Sequence, residues 1–152
     1  MSLINTRGAI EQYKKAGVHG AVESATPHRL IQMLMEGVLS KLTAAKGFME
    51  RGEVPRKGEQ IGWAISIIDG LRLSLDKSVG GGIAQNLDDL YEYMGRRLVE
   101  ANYYNKTEYL DEVMGLMTEI KSGWDAISQD VINEHAQKKE QQPDLTRVSG
   151  SG

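Results

Sequence analysis

Apolar residues recur along the chain in three- and four-residue steps, in four long segments separated by short breaks. From Pro27 to about Arg51 the steps fall on Ile31, Leu34, Val38, Leu42, Ala45 and Met49, and from about Arg56 to Lys77 on Ile61, Ala64, Ile68, Leu71 and Leu75. A third segment, about Ile83 to Tyr103, carries Leu87, Leu90, Met94, Leu98 and Ala101. A fourth, beginning after Thr107 and fading near Gln137, carries Leu110, Val113, Met117, Ile120, Trp124, Ile127 and Val131. Such spacing places one apolar stripe on a helix, whereas the alternation of period two that marks a strand is never sustained. Helices of about 20 to 25 residues span roughly 30 to 37 Å and can lie side by side. Short connections make neighbours antiparallel, so the pattern predicts an all-α fold: an antiparallel up-down four-helix bundle.

The breaks carry helix punctuation. Thr26 can accept a hydrogen bond from a free amide of the first turn, and Pro27 suits the first helical position, so the first helix starts there. Gly52 suits its end, and Pro55 lies in the link that follows. Gly80-Gly81-Gly82 is expected to turn the chain between the second and third helices, with Asn102 to Thr107 as the last connection. Before the first helix, Ala9, Ile10 and Tyr13 share one face of a weak helical segment that Gly17 and Gly20 interrupt. The expected organisation is therefore a short N-terminal helical leader over residues 1–25, a bundle over 26–137 and a disordered tail over 138–152, too poor in apolar residues to join a core.

Composition narrows the possible functions. With 18 basic and 21 acidic residues the formal charge is -3, without the basic excess that nucleic acid or an anionic membrane surface demands. Cysteine is absent, which excludes a disulfide framework, a thiolate metal site and a cysteine nucleophile. No apolar run reaches the roughly 18 residues of a membrane span, and the start lacks the apolar stretch of a signal peptide, so a cytosolic protein without membrane insertion is expected.

The residues offer little chemistry. A di-iron bundle needs Glu-x-x-His spacing on facing helices, which does not occur. His19, His28 and His135 are spread too widely to converge on a metal, so neither metal nor cofactor is expected. The Asp88, Asp89 and Glu92 run reads as a solvated face, and no Gly-x-Ser-x-Gly elbow offers a nucleophile. The seams are apolar, which argues against a ligand pocket of convergent polar groups and against an enzyme.

Three features exceed what a plain bundle needs. His28 and Arg29 lie at the positive end of a helix dipole, where cations are slightly unfavourable; either one of them bonds to a neighbouring loop or they serve a ligand or partner. Glycines at 37, 47, 62, 70, 95, 115 and 123 lie inside helices, each costing about 1 kcal/mol relative to alanine. They serve either close helix approach or shallow surface grooves. Finally Met33, Met35, Ile65, Ile67, Met114 and Tyr93 widen the apolar surface beyond four seams, either to cover the leader or to receive a partner helix.

The order and spacing of several motifs resemble the flagellar secretion chaperone family over about residues 13 to 128. They include Tyr13 with Gly17-Val18, then Ser24-Ala25-Thr26-Pro27-His28-Arg29-Leu30-Ile31 with Met33-Leu34 and Glu36-Gly37. Further along come Gly81-Gly82-Ile83-Ala84 with Asn86-Leu87, Leu90-Tyr91 with Tyr93-Met94, Arg96-Arg97-Leu98 and Ala101-Asn102. Met35 and Gly80 depart from the family pattern, which has an aromatic residue at the first and an acidic or lysine residue at the second.

The resemblance implies a cytosolic helical bundle around which the C-terminal segment of flagellin wraps, kept from premature polymerisation until it reaches the export apparatus. Export-gate or regulatory proteins are further partners under that reading. For partner binding the resemblance points to Ile10 and Tyr13, as a gate the cargo displaces, and to Ile67, Leu71, Asn86, Leu90, Tyr91 and Tyr93 on the second and third helices.

Overall fold

The computed structural model describes residues 25–127, side-chain environments at 79–81 excepted. The described chain is four helices: α1 (Pro27–Glu50), α2 (Val54–Leu73), α3 (Lys77–Tyr104) and α4 (Thr107–Asp125). Each packs against its neighbours in chain order, and α1 also packs against α4, which closes the four into a ring of antiparallel helices. The expected leader, with Ile10 and Tyr13, lies outside the described residues. So do Val131, the stretch to Gln137 and the tail.

The caps explain most of the boundaries. Thr26 accepts from the Arg29 amide at 3.1 Å, with Pro27 in the first helical position. At the other end of α1, Gly52 takes a left-handed φ of 74° and the Glu53 amide donates back to the Phe48 carbonyl at 2.9 Å, a return that a β-carbon at 52 would strain. Asn105 makes the corresponding left-handed turn after α3 at φ 58°. Lys57, only 5% exposed, fixes this corner by donating from Nζ to the Asn102 carbonyl at 3.0 Å and to Asn105 Oδ1 at 3.2 Å.

Three boundaries differ from those the pattern predicts. Pro55 belongs to the first turn of α2, where its missing amide hydrogen costs nothing, so α2 begins at Val54 rather than Arg56. The turn between α2 and α3 is Ser74 to Asp76, and the triple glycine lies inside α3. Asp76 supplies the reason by accepting from the Ser78 amide at 3.1 Å, which starts the helix six residues before Ile83. Helix α4 ends at Asp125, so Ile127 falls beyond it.

The core runs the length of the ring: Leu34, Val38 and Leu42 of α1 meet Ile61, Ala64 and Ile68 of α2, Met94 and Leu98 of α3, and Leu110, Val113 and Met117 of α4, all at most 2% exposed. A helix with two neighbours buries an arc wider than a single stripe. That accounts for much of the apparent surplus, since Met33, Met35 and Ile67 are 8%, 2% and 1% exposed and Ile65 and Met114 pack against the core. Leu→Ala or Ile→Ala at such sites costs about 2–5 kcal/mol. Ile67→Asp, which adds a buried unpaired charge, is expected to lose cooperative unfolding altogether, and Ile67→Ala to lower stability within that range in urea titrations.

Candidate functional site

The four helices do not close evenly at their ends. Where α1 and α3 begin and α2 and α4 finish, the side chains leave an open groove of about 380 Å³. Its walls are Ile31 and Met35 from α1, Leu71 and Leu75 from the end of α2, Ile83, Ala84, Leu87 and Tyr91 from α3, and Ile120, Trp124 and Ile127 from and just beyond α4. Ser74, Glu119 and Gly123 complete the lining. Several walls continue into exposed apolar surface, with Ile83 69% and Ile127 38% accessible and Leu73 nearby at 52%. A groove of this composition receives apolar side chains, and it has no set of convergent polar groups for chemistry.

Two devices hold the groove's shape. The first joins α1 to α4. His28 Nε2 lies 3.0 Å from the Trp124 carbonyl, which can only accept, so that nitrogen carries a proton; Trp124 Nε1 in turn donates to the His28 carbonyl at 3.0 Å. The two rings stack with centroids 5.0 Å apart. Gln32 Nε2 donates to Asp125 at 2.8 Å, and Lys121 pairs with Asp125 at 2.6 Å, so the same junction is tied again one turn on. His28 is therefore an anchor of the junction, while Arg29 pairs within α1 with Glu36 at 3.1 Å and ties no second helix.

The second device joins α2 to α3. Asp88 is 8% exposed and receives Arg72 Nε at 2.8 Å and Lys77 Nζ at 3.0 Å. This corrects the reading of Asp88 as part of a solvated face: the helix presents it inward, to two cations of the preceding turn region. The Arg72 hydrogen bond, helped by Lys77 and opposed by burial, holds the Asp88 carboxyl below its ordinary value. Further up the α3–α4 seam, Glu112 accepts from the Tyr93 hydroxyl at 2.5 Å and from Arg97 Nε at 2.6 Å, which lowers its pKa in the same sense.

Of the residues singled out for partner binding, the structure brings Leu71 and Tyr91 into the groove wall. Tyr91 is 3% exposed, burial pushes its phenol well above the ordinary value, and its hydroxyl has no hydrogen-bond partner among the described residues. Ile67 lies in the core and offers no surface. Leu90 packs partly buried against the core, Tyr93 is engaged by Glu112, and Asn86 is exposed. The walls contributed by Ile31, Ile120 and Trp124 carry no distinguishing mark in the sequence, because they continue the core seams, whereas Met35 stands out as apolar surface beyond its seam. Only the way the helices end turns them into a groove.

One internal glycine finds an explanation here. A β-carbon at Gly62, Gly95, Gly115 or Gly123 would meet nothing within 4 Å, so none of these four serves close helix approach. Gly123 borders the groove, where the missing side chain keeps it open.

Among the described residues no three His, Asp or Glu side chains gather to hold a metal ion, and no helix is long and apolar enough to cross a membrane.

A family model described as flagellar protein FliS matches residues 9–131. Flagellar secretion chaperone FliSB of Pseudomonas aeruginosa is 56% identical over 120 residues, which is 79% of this chain and 95% of that protein. Flagellar secretion chaperone FliS of Salmonella typhimurium is 47% identical over 124 residues, 81% of this chain and 92% of its own length. The FliS of Vibrio cholerae is 42% identical over 127 residues, 84% of this chain and 93% of its own.

Because Asp88 titrates lower in the folded than in the unfolded chain, its contribution is complete above the ordinary carboxylate value of 3.8 and is lost as pH falls through the lowered one. Asp88→Asn is expected to be less stable at neutral pH and to lose less stability than the wild type on acidification below about pH 4. Urea midpoints across that range test it; parallel curves for the two proteins would contradict it.

Proposed function

The chain belongs to the flagellar protein FliS family, and on that premise we propose that it holds the C-terminal segment of flagellin, prevents its premature polymerisation and delivers it to the export apparatus. The family is one of chaperones and not of enzymes, and the relatives above are named flagellar secretion chaperones. The role of this chain is accordingly an export chaperone with a protein partner in flagellar secretion, acting in the cytosol.

The observation that carries the finer reading is the apolar groove at the clasped end of the bundle. A segment that assembles with its own kind through an apolar helical face is kept from doing so when that face is covered. Ile31, Met35, Leu71, Leu87, Ile120 and Trp124 provide such a cover. Ordering a disordered segment on binding keeps the net affinity moderate, which suits a cargo that must later be released. Leu90 and Asn86 border this end of α3 and would extend the contact, and Ile10 and Tyr13 would act as a gate over it. In this account residues 1–25 form the leader, 26–137 the chaperone domain and 138–152 the tail.

Titration calorimetry with the flagellin C-terminal segment tests the reading: saturable binding is expected, and its absence with folded protein would overturn it. Gly123→Leu should fill the groove while leaving the melting temperature unchanged or higher, since helix propensity improves and nothing lies in the way. Its affinity for the segment should fall about tenfold or more, the cost of overpacking. Deleting residues 1–16 should leave affinity unchanged or raised in the same assay; a large loss would make the leader part of the contact surface.

A further inference from the structure

Glu119 is the one charged side chain in the groove's lining. Of the two liners with a hydroxyl, Tyr91 is 3% exposed, and Ser74, equally buried, is satisfied internally, donating to the Leu71 carbonyl at 2.6 Å. Glu119 itself is exposed on α4 and takes part in no ion pair among the described residues. The cations at this end of the bundle have other partners: Arg29 is paired with Glu36, Arg72 and Lys77 with Asp88, and Lys121 with Asp125 and, more distantly, Glu36.

Helix register places a second polar group opposite. Tyr93 of α3 meets Glu112 of α4 at 2.5 Å, and the helices run antiparallel. Two turns toward the groove from each member of that pair, a step of about seven residues, lie Asn86 on α3 and Glu119 on α4. Asn86 is exposed as well. Helix register thus puts the exposed Asn86 of α3 at the same level as Glu119, the carboxylate in the groove's lining, and among the described residues no ion pair occupies Glu119.

We infer that the groove is selective for an apolar helical segment that carries a lysine or arginine at the edge of its apolar face, the cation seating against Glu119 with Asn86 as a second acceptor. The inference rests on the proposed holding function and specifies the chemistry of what is held. Such a pair at a half-exposed rim adds modestly to affinity and more to register, because a segment displaced by one turn leaves the carboxylate unanswered over an apolar face.

Calorimetry with the flagellin C-terminal segment and the full chain tests it. Glu119→Gln should weaken binding about fivefold at low salt, a difference that shrinks as salt is raised, with an unchanged melting temperature. When each lysine or arginine of the segment is changed in turn to glutamate, one variant should bind the wild type poorly and regain affinity with Glu119→Lys. Full-strength binding by Glu119→Gln, or no variant rescued by Glu119→Lys, would overturn the inference while leaving the holding function intact. A fall in the melting temperature of free Glu119→Lys that disappears when residues 1–24 are removed would assign the carboxylate to the chain's own leader, and would also overturn it. Absence of any binding by the wild type would overturn the holding function and this inference together.

Discussion

Three of the four contacts in the ring join helices that a loop of two or three residues already holds together. The fourth, between α1 and α4, has no loop to enforce it, and at the groove end it is made by His28 and Trp124. Each of these residues bonds to the other's backbone carbonyl while their rings stack. The Trp124 carbonyl at the C-terminus of α4, which also accepts from the Ile127 amide at 3.1 Å, thereby gains a second partner on another helix. It also places a large aromatic ring as one wall of the groove. Ring closure and site construction are therefore the same interaction, and the position of Trp124 in the groove depends on a histidine that does not itself line it.

The opposite wall is held differently. Asp88, Arg72 and Lys77 tie the end of α2 to the start of α3 through a nearly buried carboxylate with two cations. Removing one partner of such a cluster leaves uncompensated charge, which makes the cluster more important for geometry than its net stabilisation suggests. Between a clasp on one side and an ion cluster on the other, the apolar liners can remain open to solvent without the bundle collapsing over them. Exposed apolar surface of this kind on a folded chain marks an interaction site.

Much of this was legible in the residues. The four seams, the Thr26-Pro27 start and the antiparallel connections follow from period and punctuation alone, and position 28 stands out because a helix start disfavours positive charge there. What the pattern could not carry was tertiary. Three successive glycines read as a turn until a capping aspartate upstream of them is taken into account, and Asp76 is a weak mark in a sequence rich in charge. Asp88 reads as solvated because its two cations lie 16 and 11 positions away along the chain. Ile67 reads as surplus because a single-stripe pattern underestimates the arc that a helix between two neighbours buries. Most of the groove is invisible in the sequence, since Ile31 and Ile120 are core-seam residues until the helices end, and only Met35 among its liners reads as surplus.

The account places recognition at the clasped end of the bundle, and methyl and amide chemical-shift mapping during titration with the flagellin C-terminal segment tests that most directly. The largest changes are expected at Ile31, Met35, Leu71, Ile83, Ile120 and the Trp124 indole, with the far end of α3 undisturbed. Changes concentrated instead at Val99, Tyr103 and Tyr104, which are also exposed, with the groove signals unmoved, would contradict it.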